Sequence, residues 1–349
     1  MAVIINAYAD NIPNGAITGV QMCDSPVVVS GSVGTGTFPS GSSMHKAWVR
    51  VAKVKSNSNQ TQLILDGDSS YRDISFSAEG GESFTTDISG ALRALLDEFV
   101  FDPNDGMSSI TYPVLQYSVA GGFSYLQNGR VEITNGSFLQ PPMYAVHGRL
   151  TELERLTLGH NGLADNGAYL LSRKPAEVEE VASGCTPYAT TLTSAGAGAP
   201  TASLAPLSRT TYTDPLQTGY AEFCFINRLG GVETVCARTL EALSVEPKQE
   251  VYPRVQAPRR IPRTHGNVYV HQQDIYDRYA MSSGPVSRAW SQWWAREFLT
   301  ASAWWVRLTP GTGTWIPCTV SPAQNKVSIY NRSSDDPLHV DFDVTLTLT

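Results

Sequence analysis

Carboxylates, imidazoles and indoles are the side chains here with the most chemistry to offer, and their spacing sorts them. The six histidines (His45, His147, His160, His265, His271 and His339) never fall into an HxH or HExxH pattern. No local zinc motif is therefore expected. Asp66, Asp68 and Ser70, with Asp73 close behind, offer oxygen ligands on a short loop. They lack the EF-hand spacing and its closing Glu, so a polar turn is expected rather than a calcium loop. Glu152 and Glu154 stand two apart and should point apart, which does not suit a glycosidase pair. No GxSxG elbow, GxxxxGK[ST] loop or GxGxxG after a strand appears. The expectation is a non-enzymatic chain with no catalytic, cofactor-binding or metal-binding residues.

Two further clusters invite an interface reading. Trp290, Trp293, Trp294, Trp304, Trp305 and Trp315 crowd into 26 residues. Exposed indoles would make a platform for sugar rings, but aromatic residues dominate both cores and interface anchors. Packing of a helix on a sheet, with spare rings under a neighbour, is the favoured reading, and Trp293, Trp294 and Trp304 are the candidate contacts. Residues 253–264 carry three prolines and, with Arg254, Arg259, Arg260 and Arg263, read as an extended arm. Arginine pairs bidentately with carboxylates, so docking on an acidic protein face is expected ahead of DNA contact.

The elements that must position these residues are mostly strands. Residues 26–30 and 47–55 read as strands, the second alternating with one buried and one wet face. A turn at Asn57-Ser58-Asn59 leads into a strand at 61–65. Leu92, Leu95, Leu96 and Phe99 fall at helical spacing after Asp87 and Ser89, either of which can cap. Strands follow at 114–119 and 129–134, with loop tips at Gly121-Gly122 and Asn128-Gly129. Residues 150–158 suit a short helix or a strand, Tyr169-Leu170-Leu171 a buried strand, and 190–210 read as an exposed loop or interdomain connection. Residues 220–227 and 232–237 flank Arg228-Leu229-Gly230-Gly231 as the clearest hairpin, in which both glycines are expected to supply positive φ and Asn227 to tie the turn. Ser287 opens the tryptophan helix, and strands follow at 303–308, 315–320, 326–330 and 339–348. The expected domains are 1–150, a β-sandwich with one helix; 151–212, a loop-rich connection; and 213–349, a second β domain.

Composition agrees with that plan. Charged residues make up 16% of the 349, well under the roughly 25% of average proteins, which suits surfaces that neighbours cover. A net charge of −7 argues against nucleic acid as the main partner. No stretch approaches the roughly 18 apolar residues of a membrane span, and the start from Met1 to Asn6 lacks the marks of a signal peptide. The five cysteines (Cys23, Cys185, Cys224, Cys236 and Cys318) include no CxxC pair and read mostly as buried thiols, Cys224 and Cys236 being the one pair that could face each other across a hairpin.

The order Phe225-Ile226-Asn227-Arg228-Leu229-Gly230-Gly231, then Glu297 to Ser302, Trp304-Trp305-Val306, Trp315-Ile316-Pro317-Cys318 and Asp341-Phe342-Asp343-Val344 resembles virion tail structural proteins of phages that infect Bacteroides-group bacteria. The first half carries a looser echo in residues 23–29 and 86–89. Cys318 stands where that pattern usually has valine, and the Arg/Pro arm is a departure from it. The resemblance implies a mostly β fold with a few helices, built of immunoglobulin-like or tail-module sandwiches. It implies assembly with copies of itself, in a ring or stack, and with other tail proteins, in a virion put together in the host cytoplasm. The alternative is a carbohydrate- or receptor-binding module at a tail tip or cell surface.

Overall fold

The structure, a computed structural model, describes residues 3–8, 19–34, 43–56, 63–65, 71–76, 82–107, 110–128, 130–135, 138, 143–158, 162–164, 167–194, 199–208, 211–213, 219–253, 268–323 and 338–346. It is mostly β with a few short helices. In chain order the elements are β1 (Val3–Tyr8), β2 (Gly19–Met22), β3 (Val28–Val33), β4 (Ser43–Ser56), β5 (Leu63–Leu65), β6 (Tyr71–Phe76), β7 (Ser83–Asp87), α1 (Ser89–Leu95), β8 (Leu115–Gln127), β9 (Arg130–Asn135), β10 (Met143–Val146), α2 (Glu152–Leu158), β11 (Gly162–Ala164) and β12 (Gly167–Leu170). There follow β13 (Glu179–Val181), β14 (Tyr188–Ser194), β15 (Thr201–Pro206), β16 (Thr211–Thr213), β17 (Tyr220–Ile226), β18 (Val232–Pro253), β19 (Val268–Ser282), α3 (Arg288–Trp293), β20 (Ala303–Arg307), β21 (Ile316–Pro322) and β22 (Asp341–Leu346).

The chain forms two compact units that interleave in sequence. The first takes Met1–Ser172, Ala189–Ala205 and Arg228–Gly231, and the second takes Arg173–Tyr188, Pro206–Asn227 and Val232–Thr349. The expected connection at 151–212 is thus divided between them, and it carries α2 and β11 to β16 rather than loops. Strand β12 overlaps the one expected at 169–171, whereas small polar residues hid β14, where Thr190 and Ser194 are as buried as Ala189 and Leu192 beside them. Burial of that kind follows from distant partners and leaves no apolar period to read. The Ser/Ala/Gly tip at 195–198 lies outside the described residues.

In the first unit, β1, β3 and β7 form a small antiparallel sheet, and β4 lies between β6 and β8 in a larger one. Val29 and Val33 of β3, Val49 and Val51 of β4, Tyr117 and Val119 of β8, and Ile88 and Leu92 at α1 share one core. The wet face expected for β4 is half covered: Trp48 is buried there, and a Cβ on Gly122 would overlap its indole. Gly122 therefore sits inside β8 for close approach, not at a loop tip. The tip falls at Asn128, with φ +51° and Gln127 paired to Arg130, the register of a two-residue hairpin. Asp87 accepts from the Ser89 amide at 2.9 Å and starts α1. The helix stops at Leu95, before the expected Phe99, because Asp97 and Glu98 would put negative charge at its carbonyl end.

In the second unit the antiparallel pairings β17–β18, β18–β19, β19–β22, β22–β21, β21–β20 and β20–β17 close on themselves. A closed circuit removes the edges that an open sheet leaves. Phe223 and Phe225 of β17, Val235 of β18, Val306 of β20 and Phe342 and Val344 of β22 face one core with α3. The opposite face of β17 and β18 presents Tyr220 and Cys236 to Val181 and Ala182. The register sets Cys224 against Thr234 and Cys236 against Glu222, so the two cysteines are not cross-strand partners and all five thiols are free. The strand expected at 326–330 lies outside the described residues.

Candidate functional site

The tryptophan helix is built from its cap inward. Ser287 Oγ accepts from the Trp290 amide at 3.3 Å, and α3 runs on into a π-turn, Trp294–Phe298. That turn closes with the Leu299 amide on the Trp294 carbonyl at 2.9 Å. Trp293, Trp294 and Phe298 then meet Phe223, Phe225 and Phe342, and Trp290 meets Trp293, edge-on or offset with ring centroids 4.7–5.9 Å apart, the arrangement aromatic quadrupoles favour. Trp293 and Trp294, expected as partner contacts, are 3% and 2% exposed. They are core residues, claimed by the sheet of their own chain. Trp304 is half-buried, its Nε1 donating to the Phe298 carbonyl at 2.9 Å. Trp305 is half-buried too, so four of the six indoles are enclosed and two are partly open.

The carboxylates weighed for catalysis have structural duties. Glu154 accepts from the Thr151 amide at 2.7 Å while Thr151 Oγ1 accepts from the Glu154 amide at 3.3 Å. This reciprocal capping box starts α2. It was legible as Thr-x-x-Glu and was missed. Glu154 also takes Arg228 at 2.9 Å, and Glu152 pairs with Arg155 at 3.2 Å. Asp73 is held by Arg50 through two bonds of 2.8 Å, while residues 66–70 lie outside the described residues. In the second unit a cleft of about 340 Å³ is lined by Glu179, Glu180, Tyr220, Trp290 and their neighbours. Its acids are engaged: Lys174 holds Glu179 at 2.5 Å, and Arg238 and Tyr220 converge on Glu180.

The largest feature that the sequence did not announce is a two-stranded ribbon. Beyond Arg238, where pairing with β17 ends, β18 continues against β19 as far as Pro253↔Val268. Strand β22 accompanies β19 only over Arg278–Ser282. From Val245↔Asp277 to Pro253↔Val268, among the described residues, the two strands pair with each other alone. At about 3.4 Å per residue that stretch is roughly 30 Å long. The arm read at 253–264 thus begins where β18 ends. Arg254, Arg259, Arg260 and Arg263 fall within 254–267, outside the described residues.

A second cluster joins residues 124 apart in sequence. Strands β2 and β10 pair in parallel up to Met22↔Val146, so the residues that follow each strand run on side by side. The Cys23 amide donates to the Val146 carbonyl and the Asp24 amide to the Gly148 carbonyl, both at 3.0 Å. Ligand-type atoms of Cys23, Asp24 and His147 come within 4.8 Å of one another. The Gly148 amide holds Asp24 Oδ2 at 2.7 Å. The His147 Nε2 lies 3.2 Å from the Asp97 carbonyl and its Nδ1 3.9 Å from Asp24 Oδ2. Burial, with the Asp24 charge adding to it, pushes the Cys23 thiol up to about 12, which makes it a poor nucleophile at neutral pH. No protein-family model matches this chain, and no curated protein or solved structure matches it significantly.

Proposed function

We propose that this chain is an architectural, non-enzymatic subunit that joins copies of itself into a ring or stack, the role its resemblance to phage tail proteins implies. The observation that carries this reading is the β18–β19 ribbon. A two-stranded hairpin alone in water is marginal, and among the described residues no third strand pairs with the outer edges of this one, which suits them to accept a strand. Seating on a neighbour supplies the missing layer and satisfies those groups. Low charge content and the arginines that follow Pro253 in the chain fit the same purpose, arginine pairing with the carboxylates of a net acidic neighbour. The alternative of a carbohydrate-binding module loses its main support, since four of the six clustered tryptophans are buried.

Light scattering on the whole chain across a concentration series tests the proposal, beside a variant in which residues 244–277 are replaced by a short Asn-Gly turn. The whole chain should assemble, and the variant should remain small while keeping its melting temperature. A parent that stays monomeric at high concentration, or a variant that assembles as well as the parent, overturns it.

A further inference from the structure

We propose that Cys23 Sγ, a carboxylate oxygen of Asp24 and His147 Nδ1 form a binding site for one divalent transition-metal ion of the zinc class. Three independent features of the cluster support this. A carbonyl oxygen can only accept, so the contact of His147 Nε2 with Asp97 O at 3.2 Å assigns the ring proton to Nε2. The lone pair of the neutral ring is then on Nδ1, facing the Asp24 carboxylate at 3.9 Å. Two electron-rich atoms face each other, an arrangement that a cation between them stabilises. A backbone carbonyl behind the distal nitrogen is also how proteins orient a metal-ligating imidazole.

The second feature is the thiol. Cys23 is 0% exposed. It borders the same point as the carboxylate and the imidazole. The third is charge. A thiolate and a carboxylate together neutralise a divalent ion, and a neutral set suits a half-buried place far better than an unpaired anion. One sulfur, one nitrogen and one oxygen make a set for a borderline-soft metal, not for calcium or magnesium. Bonds of about 2.0–2.3 Å require the three groups to draw together slightly from their present separations. Asp24 and His147 are 34% and 27% exposed at their side chains, so the ion enters from their side and a fourth position is left for water or another ligand. Coordination would convert the thiol to thiolate and release its proton.

The test is a titration of the metal-free whole chain with Co²⁺, followed by displacement with Zn²⁺. One equivalent of Co²⁺ should raise a thiolate-to-cobalt charge-transfer band in the near ultraviolet, and Zn²⁺ should abolish it. Cys23→Ser should remove the band and weaken Zn²⁺ binding at least about tenfold, and His147→Gln should weaken binding on the same scale, both with an unchanged circular dichroism spectrum. No band with the parent chain, or a band that survives Cys23→Ser, overturns the proposal. The parent titration needs no variant to fold, and it can be read whatever the oligomeric state.

Discussion

At the scale of single residues, this protein buries charge and pairs it. Lys174 Nζ, its side chain wholly enclosed, meets Glu179 at 2.5 Å and the Thr234 carbonyl at 2.6 Å. Removing one partner leaves an uncompensated charge, so Lys174→Met should cost about 3–5 kcal/mol in urea denaturation. Replacing both, as Lys174→Met with Glu179→Leu, should recover most of that loss, because the desolvation penalty goes with the pair. Glu222 repeats the pattern with Arg307 at 2.5 Å and the Gly311 amide at 3.0 Å. Thiols respond to the same low dielectric. Burial raises Cys318 from its ordinary 9.0 to about 12. A thiol that holds its proton more tightly in the folded state contributes stability below the unfolded pKa and loses it as pH climbs to the folded one. Stability should therefore fall between pH about 9 and about 12. Cys318→Val should flatten part of that fall, measured as denaturation midpoints across that range.

At the scale of elements, turns and caps set where strands and helices stop. Gly230 alone of the hairpin glycines takes positive φ, at +79°, and a Cβ there would overlap the His147 carbonyl. Gly231 is small for another reason: a Cβ would fall 2.6 Å from Leu171 Cβ. Asn227 ties the turn as expected, by donating to Glu233. Gly230→Ala should cost more than about 1 kcal/mol, since the new side chain meets both strain and a clash. Thr151→Ala, which only opens the capping box of α2, should cost about 1 kcal/mol. Thermal melts of the two variants side by side would check both values and their order.

At the scale of the whole molecule, assembly is the property to measure. Charge reversal at Arg259 and Arg260 to Glu should lower the assembled fraction in light scattering and reduce its sensitivity to salt, because exposed pairs are screened by ions. How much was legible varied with the range of the interactions. The mostly β class, α1, the cap of α3 at Ser287 and the turn at Asn227–Gly231 were readable, since each rests on residues within one or two turns of one another. The burial of Trp293 and Trp294 was half readable, because helical spacing puts them on one face but does not say what covers it. The ribbon was not readable: residues 239–253 and 268–277 lack a clean alternation, and only their register against each other makes them strands. Nor was the Cys23–Asp24–His147 cluster, whose members meet only because β2 and β10 pair in parallel across the whole first half of the chain. Sequence alone determined the local vocabulary of strands, caps and turns, since backbone propensity and side-chain period act over a few residues. The tertiary structure decided which faces are buried, which edges stay open and which distant side chains converge, because those depend on pairings between segments that no local signal encodes.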